Sequence, residues 1–370
     1  MPGKKKVTRR DITTKDEMNL AEYPIQLLTK DVPEETKTIE WHGEVTLKDG
    51  RKKEASWVVT GSDKYGLPRY QDRDTILAIM YYWYKQGFES PELVIKNVKE
   101  LLRFMRWNTS ERGYLQLRDS LNRIVHTGIT AIYSFWDNKI KDYIPYISFN
   151  LFQSAEITYS PERKNRYMLR IVANDIFWKS IKNNYIKSLN ATFYFSLKNP
   201  TAKALYTFLD KKAYQNEEFS IEIYNLASKL GLSTRQPRFK LKQTLKNASE
   251  ILLNKGFLAY YEFKDLPETS DLLIVFYFNK DYLSQEEIEL REKHEEYVKL
   301  IVSDILQVVG DTKSKAFYEK VARSIPQEII YRALSEVKAA SLDGEIKTTR
   351  AKLFTYLVKK YAKELFNLKL

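Results

Sequence analysis

The chain of 370 residues contains no cysteine, which excludes disulfides, thiolate metal sites and cysteine nucleophiles together. Histidine is almost as scarce. His42, His126 and His294 are the only three, far apart and in different predicted elements. They form no His-x-x-x-His or His-hydrophobic-His cluster, so a metal-dependent nickase of the usual kind lacks its ligands. With 12 glycines there is neither a Gly-x-x-x-x-Gly-Lys-Ser/Thr loop nor a Gly-x-Gly-x-x-Gly turn, which removes a P-loop ATPase and a dinucleotide site. No apolar run approaches the roughly 20 residues that span a bilayer. The opening Met-Pro-Gly-Lys-Lys-Lys leads into polar residues and not an apolar signal segment, so a cytoplasmic location is expected. Carboxylates are plentiful but form no motif. An unusual carboxylate-metal nuclease is the one catalytic reading left, and the expectation is a protein without enzymatic activity or cofactor.

What is present is apolar enough for folded domains, at 43% hydrophobic and 14% aromatic, and the length allows two or three of them. The net charge is +13 and the pI about 9.3. Such a balance favours a polyanionic partner, nucleic acid first and an acidic membrane surface second; a merely basic soluble protein is the bland alternative. Residues 1–20 are polar and basic, with Lys4, Lys5, Lys6, Arg9 and Arg10 clustered. They are expected as a flexible tail, either solvated or touching DNA.

The rest divides by pattern. Residues 21–175 are expected to hold a β-hairpin extension and a first winged-helix domain. Thr38–Leu47 and Glu54–Val59 read as strands joined through Asp49-Gly50, a pair that tolerates positive φ. Asp74 is placed as an N-cap before an apolar helix ended by Gly87. Ser90-Pro91-Glu92 is taken to open a second helix running to Phe104. A third opens near Ser110, and strand-like segments follow to Val172. The order recurs over residues 176–283, expected as a second winged-helix domain: Thr192–Leu197 as a strand, a helix from Asn199, a short one over Ser220–Leu230, a longer one over Ser233–Lys255, then two apolar strands. Residues 284–370 read as helical throughout, acidic at first through Glu286, Glu287, Glu289, Glu292, Glu295 and Glu296. The fold class expected is therefore α+β, with tandem winged helices and an all-helical C-terminal region.

The strongest local signal lies between Gly231 and Asn247. A glycine turn between two helices, with Ser or Thr capping the second, is a helix-turn-helix arrangement. Leu241, Leu245, Ala248 and Leu252 make one buried stripe on the second helix. Arg238, Lys240, Lys242, Gln243, Lys246 and Asn247 lie away from it, with Arg235 and Gln236 at the N-terminal end. Arginine can pair with both guanine acceptors, Gln or Asn with both adenine edge groups, and lysines suit phosphates. Residues 179–260 carry 14 Lys and Arg against five Asp and Glu, so this second part is expected to be the main DNA reader. Its proposed wing is acidic, with Asp265, Glu268 and Asp271, and unsuited to phosphate. In the first unit, Arg112, Arg118 and Arg123 on the third helix suit either secondary DNA contact or dimer contact. The loop with Arg163, Lys164 and Arg166 suits phosphate or solvent equally. The run Tyr81, Tyr82, Trp83 and Tyr84 reads as core packing and not a base-stacking platform.

Glu22-Tyr-Pro, Trp57-Val-Val-Thr-Gly and Tyr65-Gly-Leu-Pro-Arg-Tyr-Gln-Asp-Arg-Asp74 followed by Ile76-Leu-Ala-Ile resemble the N-terminal signature of the plasmid replication initiator protein A family, over roughly residues 20–280. The resemblance implies two winged-helix domains that bind directly repeated origin sites (iterons) in double-stranded DNA. It further implies melting of adjacent DNA and recruitment of the host initiator and replicative helicase. The second domain would give the main contacts; the first would serve dimerisation, auxiliary DNA contact and autorepression. A winged-helix transcriptional regulator without a replication role, and a DNA nickase, are the competing readings.

Overall fold

The computed structural model describes residues 12–28, 36–160, 166–213, 216–266, 272–279, 282, 298–325, 327–342 and 348–366. The chain divides into two compact units, Met1–Tyr282 and Leu283–Leu370. The fold is mixed α+β, with several small antiparallel sheets and a helical C-terminal region.

The first unit begins with strand β1 (Thr13–Glu17), helix α1 (Met18–Glu22) and the hairpin β2 (Thr38–Thr46) and β3 (Lys52–Thr60). Gly50 sits at φ +85 in the hairpin turn, the conformation that made Asp-Gly a turn signal. Then come α2 (Tyr70–Lys85), β4 (Glu92–Ile95), α3 (Val98–Phe104), α4 (Glu111–Val125), β5 (Gly128–Ile132), β6 (Phe135–Asp137), β7 (Asp142–Ile144), β8 (Ile147–Phe149), β9 (Phe152–Tyr159) and β10 (Tyr167–Ala173). The hairpin joins β5 and β8 in one sheet, and β4, β10 and β9 form another in that order.

The chain continues through α5 (Asp175–Lys182), β11 (Ile186–Asn190), α6 (Ala191–Ser196), α7 (Pro200–Ala213), β12 (Glu218–Glu222), α8 (Ile223–Leu230), α9 (Arg238–Asn254), β13 (Leu258–Asp265) and β14 (Leu272–Phe278). The sheet order β12-β14-β13 repeats that of β4-β10-β9. Thus α2-β4-α3-α4-β9-β10 and α7-β12-α8-α9-β13-β14 share both element order and sheet order. One apolar core runs through both, from Trp57 and Trp83 through Leu117 and Leu205 to Leu245 and Phe276. In the second unit residues 298–309 form helix α10, followed by α11 (Lys315–Ser324), α12 (Gln327–Leu342) and α13 (Arg350–Phe366). They enclose their own core around Ile305, Val321, Ile330, Val337 and Phe354. The acidic helix expected over Glu286–Glu296 lies outside the described residues.

Several elements differ from their sequence expectation, each for a local reason. Residues 13–20, expected within a flexible tail, are folded: β1 pairs antiparallel with β11, Thr13 opposite Asn190 and Glu17 opposite Ile186. Helix α2 starts four residues before Asp74. Its N-terminus is held by Asp72, whose carboxylate accepts from the Arg69 N–H at 2.7 Å. Asp74 is instead interior and buried. Glu92–Ile95 is a strand and not a helix start, because Leu93 and Ile95 alternate with Glu92 and Val94 onto the core side and pair with Ile171 and Leu169. Thr192–Leu197 is occupied by helix α6, not a strand. Asn190 caps it by accepting from Phe193 N at 2.8 Å, and Ala191, Tyr194 and Phe195 are buried at helical spacing.

The N-terminal segment laces the two repeats together. Arg73 of α2 grips Asp16 through Nη2 at 2.6 and 2.8 Å. Glu17 accepts from Leu20 N, Asn19 Nδ2 and Ser180 Oγ; burial outweighs these bonds and pushes its carboxyl above the ordinary value. Asp74 accepts from Lys203 Nζ and Tyr194 OH of the second repeat. Glu22 is ringed by Lys211, Lys212 and Lys229 at 2.9, 2.7 and 2.9 Å. Trp41 donates from its indole nitrogen to Asn225 at 3.1 Å.

Candidate nucleic-acid interface

Helix α8 ends at Gly231, which adopts φ +76. The turn is closed by Leu232 N donating to Ala227 O at 2.9 Å. A side chain here would meet a second obstacle, since a Cβ at Gly231 would lie 2.1 Å from the Gln26 carbonyl oxygen. The N-terminal segment therefore packs directly under the turn, and Leu28 N donates to Gly231 O.

The following helix starts later than expected. Pro237 lacks an N–H and pushes its predecessor out of helical geometry, so α9 begins at Arg238 with Pro237 at the cap position and no side-chain cap. Ser233 does not cap it; its Oγ accepts from Arg235 N at 3.4 Å within the turn. Arg235 and Gln236 therefore belong to the approach to the helix.

From Arg238 onward the helix is built as the spacing predicts on its inner side. Leu241, Leu245, Ala248 and Leu252 are fully buried. Outside stand Arg238, Lys240, Lys242, Gln243, Lys246 and Asn247, all exposed. Gln243 and Lys246 lie opposite the buried stripe. Arg238 and Lys242 flank them on one side, Lys240 and Asn247 on the other. Lys242 lies over the Phe263 ring of β13 at 5.2 Å. Gln243 Nε2 donates to Asn247 Oδ1 at 2.8 Å, which aligns the two amides on one ridge. The first acid along the helix is Glu250, half-buried and bonded by Tyr261 OH at 2.6 Å. One exposed member of this face escaped the sequence reading: Phe239, 70% exposed. Its signal was an apolar residue two positions out of phase with the stripe starting at Leu241.

The other residues expected to touch DNA are not gathered with these. Arg112 and Arg118 are exposed on α4, and Arg118 pairs with its neighbour Asp119 at 3.3 Å. Arg123 is a correction: its guanidinium closes on Asp72 through Nε at 2.6 Å and Nη2 at 2.8 Å and is nearly buried. That fork is committed to joining α4 to α2 and is withdrawn from solvent. Arg163 and Lys164 lie outside the described residues; Arg166 is half-buried, its carbonyl accepting from Ser160 N at 2.7 Å. In the loop expected as the second wing, Asp265 is exposed at the end of β13 beside a Lys264–Glu262 pair at 2.8 Å, while Glu268 and Asp271 lie outside the described residues. Of the run expected as core packing, Trp83 is buried and the half-buried Tyr81 stacks on Phe104 at 4.3 Å, whereas Tyr84 is exposed with Lys15 over its ring. Along α4 and the strands β9 and β10 runs a groove of about 520 Å³ lined by Tyr114, Leu115, Leu121, Val125, Ile157 and Tyr167. Among the described residues no group of three His, Asp or Glu is placed to hold a metal ion. No described helix is long and apolar enough to cross a membrane.

Comparison with known proteins places these features. No curated protein matches the chain. Two solved structures are found among the similar proteins. One is of selenomethionine derivatives of domain 2 and domain 3 of RctB, at 13% identity and TM-score 0.42, covering 71% of this chain and 98% of that one. The other is of RctB domains 2-3, at 12% identity and TM-score 0.41, covering 70% and 96%. The family model described as Replication initiator protein A matches residues 15–251, from the lacing strand into the exposed helix α9. The chain belongs to the Replication initiator protein A family.

Proposed function

We propose that this chain is a plasmid replication initiator that binds directly repeated sites in double-stranded origin DNA. Its two α/β repeats act as winged helices, with α9 as the helix that enters the major groove. It promotes melting beside those sites, recruits the host initiator and the replicative helicase, and catalyses no reaction itself. The observation that carries this reading is the outer face of α9: Arg238 and Lys242 on one flank, Lys240 and Asn247 on the other and Gln243 with Lys246 between them, ahead of any acid, in a chain of the initiator family. Phosphates line the rims of the major groove and base edges its floor, so this distribution matches the surface it would meet.

The first repeat is differently equipped. The exposed charges on α4, Glu111, Arg112, Arg118 and Asp119, cancel, and the adjoining groove is largely apolar. That combination suits protein contact, including a second copy of the chain, with auxiliary DNA contact through Arg112.

Selection of bound duplexes from a random pool, followed by titration against the selected repeat, tests the proposal. Binding should fall steeply with salt, and Arg238→Gln or Gln243→Ala should relax preference at one position by roughly 1–3 kcal/mol. Equal affinity for random and repeat DNA at every salt concentration would overturn it. A site-specific nick in supercoiled origin DNA with Mg²⁺ would overturn the non-catalytic part alone.

A further inference from the structure

Among the large apolar side chains of the described residues, Phe239 is the most exposed, at 70%. It carries no hydroxyl or ring nitrogen to account for a place in water, and it lies in the first turn of α9, one turn before Gln243 on the same ridge. Around it stand Arg235, Arg238, Lys240, Lys242 and Lys246, all exposed. A single apolar ring inside a fence of cations calls for a partner that is anionic at its rim and apolar at one point within. The B-DNA major groove has that pattern. Its rims are phosphate, and the only apolar group on its base edges is the 5-methyl of thymine.

We infer that Phe239 is a specificity-determining side chain that packs on a thymine methyl group in the major groove. The inference rests on the proposed role of α9 as the groove-entering helix. The amide beside it supports the same base pair type. Gln243 uses one Nε2 hydrogen on Asn247, and an amide nitrogen carries two. The second hydrogen and Oε1 are the pair that would meet adenine N7 and N6. Phe239 and Gln243 together therefore select A·T pairs close to one another, the ring reading thymine and the amide reading adenine.

The test uses the full chain and duplexes it has itself selected, with each thymine replaced singly by deoxyuridine, which lacks only the methyl. At one thymine the replacement should weaken wild-type binding about three- to fivefold, the effect of one buried methyl group. Phe239→Ala should bind the thymine and deoxyuridine duplexes equally, and Phe239→Leu should keep part of the discrimination. A wild type indifferent to every replacement, or a Phe239→Ala variant that keeps the same sensitivity, overturns the inference while leaving selective binding intact. A pool in which no sequence is enriched overturns the origin-binding reading, and this one with it. Because the ring is exposed, both variants should match the wild type in unfolding midpoint, which separates a lost contact from a lost fold.

Discussion

Glu22 faces Lys211, Lys212 and Lys229 at 2.7–2.9 Å. Burial alone would raise its carboxyl, but the three ammonium groups overrule burial and hold it well below the usual carboxylate range. Lys212 and Lys229 are pushed down in turn, by burial first, against the pull of Glu22. The signs follow. The unfolded chain takes up a proton on Glu22 at higher pH than the folded one. The contribution of Glu22 is therefore complete above the ordinary carboxylate range and lost as pH falls toward the folded value. Glu22→Gln should cost about 3–5 kcal/mol at neutral pH, because it leaves three poorly hydrated cations with no counter-charge. It should also flatten the acid limb of the stability profile and make stability climb with pH as Lys212 and Lys229 titrate. Urea denaturation from pH 3 to 10 reads all three effects; a variant as stable as wild type at pH 7 with the same acid limb would refute them.

The two corresponding helices, α4 and α9, differ in what they offer solvent. Helix α9 presents four cations of its own before its first acid, whereas the exposed cations of α4 are matched by acids and Arg123 is closed on Asp72. Lys242→Gln with Lys246→Gln should reduce the slope of log affinity against log salt by about 2, roughly one per phosphate contact. Arg112→Gln with Arg118→Gln should change it by less than half as much; filter binding across salt measures both. Much of this was legible in the sequence because it is local. The stripe Leu241, Leu245, Ala248 and Leu252, the turn at Asp49-Gly50 and the stop at Gly231 each follow from a few neighbouring residues. What escaped depends on distant partners. Thr13–Glu17 is polar and reads as a tail, yet it folds because Arg73 and Ser180 receive its carboxylates. Arg123 reads as surface until Asp72, 51 residues away, is brought beside it. Pro237 is a local cause: its backbone limits alone place the helix start at Arg238 and not at Ser233.

In the whole molecule, the lacing segment is bonded to both repeats, through Arg73 in one and Lys211 in the other, and should make them one cooperative body. All six tryptophans lie within residues 41–178, so their fluorescence reports the first repeat and its hairpin, while amide exchange in α9 reports the second. In the intact chain the two probes should give coincident urea midpoints. A chain lacking residues 1–28, stripped of β1, α1 and the buried Tyr23 and Ile25, should show them apart; continued coincidence would mean that the repeats hold each other without the lace. The same feature has a consequence in time. Ile12 N donates to Thr192 Oγ1 across 180 residues, and at ordinary rates of synthesis that interval takes roughly 9–36 s to emerge. Until then β1 has no strand to pair with, and the Trp41 indole N–H lacks its Asn225 acceptor. The first half of the protein cannot finish ahead of the second, so the helix proposed to read DNA and the body that supports it come to completion in the same late event.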